Sequence, residues 1–169
     1  MSSDRVFLVG FMCSGKSTVG KLLSAELRWE FLDVDREIEK EEGMSIPEIF
    51  EKKGEPYFRK RELEKLIELS SKSNVIISTG GGLGADEKAM EFMKGKGVVV
   101  WLKVDFDTFL QRCGKDPSRP LLKKDKSELL SLFMERSKTY QKSHIVLDAH
   151  SSPEVLLKGL IAKLSLNEL

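Results

Sequence analysis

Eight residues constrain this chain more than any others: Gly10-Phe11-Met12-Cys13-Ser14-Gly15-Lys16-Ser17. Before them, Val6-Phe7-Leu8-Val9 reads as a buried strand, and after them Val19, Leu22, Leu23 and Leu27 recur at helical spacing. A GxxxxGK[ST] turn between a strand and a helix is a phosphate cradle, and the flanks supply the context it requires. Gly10 and Gly15 permit backbone conformations closed to other residues. Successive N–H groups can then converge as an anion nest, to which the helix N-terminus adds donors and a positive dipole. Cys13, Ser14, Gly15, Lys16, Ser17 and Thr18 are therefore the expected nucleotide-phosphate residues. Lys16 brings a full charge to the β and γ phosphates, Ser17 offers a hydroxyl to Mg²⁺, and Thr18 can donate to the α-phosphate. Gly20, one turn on, lets the helix approach the sheet closely.

Short apolar runs alternate with helical patterns along the rest of the chain. Phe31-Leu32-Asp33, Val75-Ile76-Ile77, Val98 to Leu102 and Ile145-Val146-Leu147 read as further strands. Ile38, and then Ile46, Ile49 and Phe50, suit two short helices, with Pro47 in the first turn of the second. A longer helix runs from about Pro56, and Pro153 to Leu164 closes the chain. Continuous apolar strands separated by helices predict a five-stranded parallel sheet covered on both faces, a three-layer α/β/α sandwich. Ligands of such sheets sit beyond the carboxyl ends of the strands. One domain over 1–169 is expected from the length.

Composition narrows the function. Lys plus Arg number 28 and Asp plus Glu 27, a net charge of +1, without the basic excess of a nucleic-acid-coating protein. The longest apolar run, Val98 to Leu102, is far short of the ~20 residues of a membrane helix. No secretory leader is visible at Met1-Ser2-Ser3-Asp4-Arg5, so a cytoplasmic location is expected. Cys13 and Cys113 form no disulfide framework and no CxxC; Cys13 reads as a small residue accepted in the loop. His144 and His150 form no metal-ligand pattern.

No strand ends in the acidic pair of motor ATPases, and no NKxD base-reading sequence is present. A short kinase for a small molecule is what is left. Asp33-Val34-Asp35 closes the second strand, and residues two apart on a strand share a face. Both carboxylates would then reach one cleft, one holding Mg²⁺ through water and the other accepting or orienting a hydroxyl proton. In Phe58-Arg59-Lys60-Arg61-Glu62, Lys60 reads as a solvated charge. Arg59 offers a fork for a carboxylate, with Glu62 one turn on to orient it. Gly80-Gly81-Gly82 suits backbone contact with a ligand, or a flexible turn. The charge-rich segment around 112–126, with Arg119 in Ser118-Arg119-Pro120-Leu121-Leu122, has the character of a mobile lid whose arginine could neutralise the transferred phosphoryl group. Arg136, four residues before Tyr140, could add a second anion clamp.

Together, GFMCSGKSTVG, FLDVD, FRKRE, the glycine triplet, RPLL and the Arg136/Tyr140 spacing resemble the shikimate kinase family, from Val6 to about Leu164. The resemblance implies a fold like that of P-loop nucleoside-monophosphate kinases. It also implies transfer of the γ-phosphoryl group of ATP, with Mg²⁺, to the 3-hydroxyl of shikimate, a step of chorismate and aromatic amino-acid biosynthesis. It implies Asp35 as base or orienter of the reacting diol, and Asp33 as an indirect Mg²⁺ partner. Arg59 and Arg136 become clamps on the shikimate carboxylate, with the Gly81 backbone completing that pocket. Lys16 and Arg119 act on the phosphoryl group, and Arg112 stacks on adenine. A monomer without nucleic-acid or membrane partners is expected. The loop Asp148 to Pro153 lacks an arginine that some members carry. Another small-metabolite kinase, for gluconate or a nucleotide, and a non-enzymatic nucleotide switch are the competing readings.

Overall fold

The structure is a computed structural model in which residues 4–113 and 125–167 are described. Arg119 and the expected lid between 114 and 124 lie outside the described residues. Strands β1 (Arg5–Val9), β2 (Glu30–Asp33), β3 (Val75–Ser78), β4 (Val98–Lys103) and β5 (Ile145–Asp148) form one parallel sheet in the order β2-β3-β1-β4-β5. The helices among the described residues are α1 (Lys16–Leu27), α2 (Val34–Glu42), α3 (Ile46–Lys53), α4 (Glu55–Leu69), α5 (Gly81–Gly84), α6 (Glu87–Lys96), α7 (Phe106–Cys113), α8 (Lys126–Tyr140) and α9 (Pro153–Asn167).

The central strands do not alternate in polarity because helices cover both of their faces. Phe7, Leu8, Val9, Ile76, Ile77, Val99 and Val100 are completely buried, each contributing about 1.5–3 kcal/mol where the side chain is large. The edge strand β5 does alternate, with Val146 and Asp148 facing out. Gly20 meets its expectation: the Phe31 ring and Leu8 occupy the space a Cβ would need, so α1 lies against the sheet. Pro47 falls in the first turn of α3, which Ser45 caps by accepting from Glu48 N–H at 3.3 Å.

Register places the site. Leu8 of β1 and Asp33 of β2 both pair with Ser78 of β3, so these three strands end together. The Thr79 hydroxyl and amide both donate to Leu8 O, at 2.9 and 3.1 Å. In the strand order β1 leads back past β3 to β2, whereas β3 leads past β1 to β4; right-handed crossovers put these two connections on opposite faces, which opens a crevice beyond the carboxyl ends of the strands.

Three expectations need correction. Asp35 is not on a strand: β2 ends at Asp33, whose carboxylate turns the chain into α2 by accepting from the Asp35 and Arg36 amides at 3.0 and 3.2 Å. Of the two readings of the glycine triplet, ligand contact or flexible turn, the second gives way to a regular element: Gly80 leads into the single helical turn α5, closed by Gly84 N–H to Gly80 O at 3.0 Å. Cys13 is not merely a small loop residue. It is joined by a disulfide to Cys113, with the two Cα atoms 5.8 Å apart. Their separation of 100 positions hid this from any local pattern.

Candidate active site

The phosphate cradle comes from backbone geometry. Gly10 and Gly15 hold φ of +150° and +93°, and Cys13, a non-glycine, holds +60°. Left-handed backbone at these points lets the loop curl around its own amides. The first bond that closes back into α1 is Val19 N–H to Gly15 O at 3.0 Å, so the amides ahead of it lack intrahelical acceptors. Ser14 Oγ is buried and has no partner among the described residues. Lys16 Nζ donates to Gly10 O at 2.7 Å and Phe11 O at 3.1 Å, which folds the ammonium over the loop. At the rim Ser17 Oγ lies 3.5 Å from Asp33 Oδ2. Two hard oxygen donors so placed, beside a loop of left-handed backbone at the start of a helix, fit a triphosphate accompanied by Mg²⁺.

One cavity of about 890 Å³ joins this cradle to a second, charged compartment. Asp35 from α2, Arg59 and Glu62 from α4, the turn α5, and Arg136 from α8 line the second part. As a residue Asp35 is half-buried, but its carboxyl is turned inward and Oδ1 is inaccessible without a partner among the described residues. Glu62 is 1% exposed; its Oε1 accepts from Arg59 Nη1 at 2.6 Å, and its Oε2 is likewise unpartnered. Burial first, then the Glu62 carboxylate and Asp33, raises the Asp35 pKa well above the usual carboxylate range, with Arg59 opposing.

The glycine triplet is explained by what each missing Cβ would strike. At Gly80 it would lie 2.7 Å from Asp35 Oδ2 and 2.8 Å from Glu62 Oε2. At Gly81 it would lie 3.0 Å from Arg136 Nη1, and at Gly82 2.5 Å from Arg59 Nη1. The turn is pressed against the charged ends of these side chains, which a Cβ at any of the three positions would displace. The Tyr140 hydroxyl fixes it, donating to Gly81 O at 2.6 Å. Burial pushes that phenol far up, so it stays a donor.

The two arginines differ. Burial opposes the charge on Arg59, but Glu62, Glu55 and Asp35 outweigh it and its pKa is raised. Arg136 has no carboxylate partner among the described residues. It lies over the Phe11 ring, its guanidinium carbon 5.8 Å from the centroid, and burial lowers its pKa. The Lys60 side chain is 77% exposed, a solvated charge as expected, while Arg61 reaches Glu41 and Glu42 on α2 at 2.5 and 3.2 Å.

Of the expected site residues, Lys16, Ser17, Thr18, Asp33, Asp35, Arg59, Gly81, Arg112 and Arg136 all line the one cavity, and Arg119 lies outside the described residues. Arg112 donates to Ala149 O at 3.0 Å, tying α7 to the loop after β5. Sequence reasoning missed the steric roles of Gly80 and Gly82, the buried Glu62 Oε2 and the disulfide. The spacing of three glycines behind a strand could have signalled the first.

A parallel sheet in this order, with a phosphate cradle opening into a carboxylate-and-arginine pocket, defines a P-loop kinase of the small-molecule type. Comparison with known proteins narrows the class: a shikimate kinase family model matches residues 12–165, and the chain belongs to that family. It is 53% identical to a shikimate kinase of Aquifex aeolicus over 98% of both chains. A crystal structure of shikimate kinase from that organism superposes with a TM-score of 0.91, covering 98% of each chain. A shikimate kinase of Acinetobacter baumannii in complex with shikimate is 37% identical, with a TM-score of 0.93 over 99% of this chain and 96% of that one.

Proposed function

We propose that this enzyme transfers the γ-phosphoryl group of ATP to the 3-hydroxyl of shikimate, giving shikimate 3-phosphate and ADP. The observation that carries the reading is the single cavity in which a cradle for phosphate meets two arginines and an inward-turned carboxyl. Family membership supplies the acceptor, and the geometry suits it. A ring acid with vicinal hydroxyls needs a cationic clamp at one end and a proton acceptor at the other.

In this reading Arg59 and Arg136 bind the acceptor carboxylate, and the α5 backbone at Gly81 closes that end. Glu62 holds Arg59 in place through the 2.6 Å bond. Asp35 binds the acceptor hydroxyls and orients or accepts the proton of the reacting one. Asp35 is the poorer acid for its burial beside Glu62, which makes its carboxylate the stronger base once ionised. The cradle from Cys13 to Thr18 holds the phosphates. Lys16 exchanges its two carbonyl contacts for phosphate oxygens and stabilises charge on the transferred group. Ser17, and Asp33 through water, would hold Mg²⁺, which when bound neutralises charge on the β and γ phosphates. Arg112 stacks on the adenine, and Arg119, within a lid about 112–126, completes the phosphoryl site. Positioning and electrostatics do the work.

No helix among the described residues is long and apolar enough to cross a membrane. Monomeric action in the cytoplasm completes the proposal. The test is a panel of acceptors with Mg·ATP: shikimate, gluconate and nucleoside monophosphates. Phosphorylation of shikimate at the 3-position, with the others inert, is the expected result. Turnover of a nucleotide or of gluconate in its place, or nucleotide binding without transfer, would overturn it.

A further inference from the structure

The disulfide between Cys13 and Cys113 has no part in the transfer chemistry, yet it joins two parts of the nucleotide site. Cys13 lies inside the phosphate cradle and lines the cavity. Cys113 is the last residue of α7 and directly follows Arg112, which lines the same cavity. We propose that this cysteine pair is a thiol–disulfide site through which a dithiol or disulfide co-reactant sets the enzyme's affinity for nucleotide. The inference rests on the nucleotide occupying this cradle.

Cys13 sits at φ +60° between two glycines that are also left-handed, Gly10 and Gly15. A residue with a Cβ disfavours that region, so the reduced loop has reason to relax away from the nest shape. The covalent link opposes this. Reduction removes the tether between the loop and the end of α7, and the less firmly packed of the two sides relaxes. Cys113 is 1% exposed and embedded in the core, with Phe109 of the same helix completely buried beneath the Phe11 ring. Cys13 is half-buried on the loop. The displacement therefore falls on the cradle, whose amides lose their convergence. The oxidised form is the preorganised one.

Exposure also sets the route of exchange. A thiolate of the dithiol attacks the sulfur of Cys13, the more exposed residue of the pair, the Cys13–Cys113 bond breaks, and Cys113 leaves as a thiolate that takes up a proton. The second thiol of the reductant then attacks its own sulfur in the mixed disulfide and releases Cys13. Two electrons pass from the dithiol to the bridge, and the reductant departs as a disulfide. Nucleotide would occupy the cavity that Cys13 lines. Coupling is reciprocal: the factor by which the bridge tightens nucleotide binding is the factor by which nucleotide favours the bridge.

The test is ADP affinity by calorimetry on the full chain, oxidised and after reduction by dithiothreitol, with free thiols counted in each sample. ADP is expected to bind about five- to tenfold more tightly to the oxidised chain, and saturating ADP to slow reduction of the bridge. Cys113→Ser and Cys113→Ala should each bind ADP like the reduced protein whether or not dithiothreitol is present. Equal ADP affinity in both states, or two free thiols after oxidation, overturns the redox proposal while leaving the phosphate cradle standing. Absence of ADP binding in either state removes the cradle itself, and this proposal with it.

Discussion

The two halves of the cavity are built differently. The phosphate half is built around one continuous stretch, Gly10 to Thr18, whose backbone amides, lysine and hydroxyls lie together in sequence. The acceptor half is assembled from side chains on α2, α4 and α8, packed against the backbone of α5. A site made of local backbone keeps its shape when distant side chains change, and depends on its own glycines and its one lysine. A site made of distant side chains depends on charge balance: two carboxyl groups and two arginines share one compartment, where Glu62 and Arg59 act on Asp35 in opposite directions. Removing one group should therefore do different damage in the two halves.

The largest effect is expected in the phosphate half. Lys16→Ala should lower kcat by about 10³-fold or more, since a full charge on the transferred group is lost, with shikimate affinity unchanged by direct titration. Loss of shikimate binding in that variant would mean the halves are not separable. Asp35→Asn comes next, with kcat falling by about 10²–10³-fold and ADP binding intact. Because the folded-state pKa of Asp35 is raised, the native protein holds an extra proton between the unfolded and folded values. Stability therefore falls as pH rises through that window. Asp35→Asn removes the penalty and should raise the Tm at neutral pH, by roughly 2–4 °C for each kcal/mol recovered. A lower Tm would contradict the burial argument.

The arginines sharpen the comparison within the acceptor half. Arg59→Ala and Arg136→Ala should each weaken shikimate binding about 10- to 100-fold, the loss of a charge-assisted contact, without changing ADP affinity. Their stabilities should diverge. Arg59→Ala strands the buried Glu62 and should lower the Tm, whereas Arg136→Ala strands no carboxylate among the described residues and should leave it unchanged or higher. The smallest effect is a shift in pH profile. The acid limb of kcat/KM for shikimate should lie above the ordinary carboxylate range, and Glu62→Gln should move it to lower pH by removing a neighbouring negative charge. An unmoved limb would separate Glu62 from Asp35.

The same contrast explains what could be read from the chain before its fold was known. The cradle was legible because its strand, glycines, lysine and hydroxyls are contiguous, and the parallel sheet because runs such as Val98 to Leu102 show no alternation. Arg59 and Arg136 carried only weak local signs, Glu62 one turn after the first and Tyr140 one turn after the second; resemblance to the family gave them their roles. Asp35 was found for a wrong reason. It reaches the cleft from the first turn of α2, since Asp33 caps that helix and ends the strand. The triplet Gly80 to Gly82 was conspicuous, but its cause, the side chains of Asp35, Glu62, Arg136 and Arg59 pressed against it, is a matter of packing. The disulfide was hidden in the same way.

The central claim is that the acceptor's carboxylate is gripped by Arg59 and Arg136 while Asp35 addresses its hydroxyls. Comparing kcat/KM for shikimate and for its neutral carboxamide, with ATP saturating, tests this most directly. The account predicts a fall of about 10²-fold or more for the amide, as charge-assisted contacts to two guanidinium groups are lost. Equal values for acid and amide would contradict it.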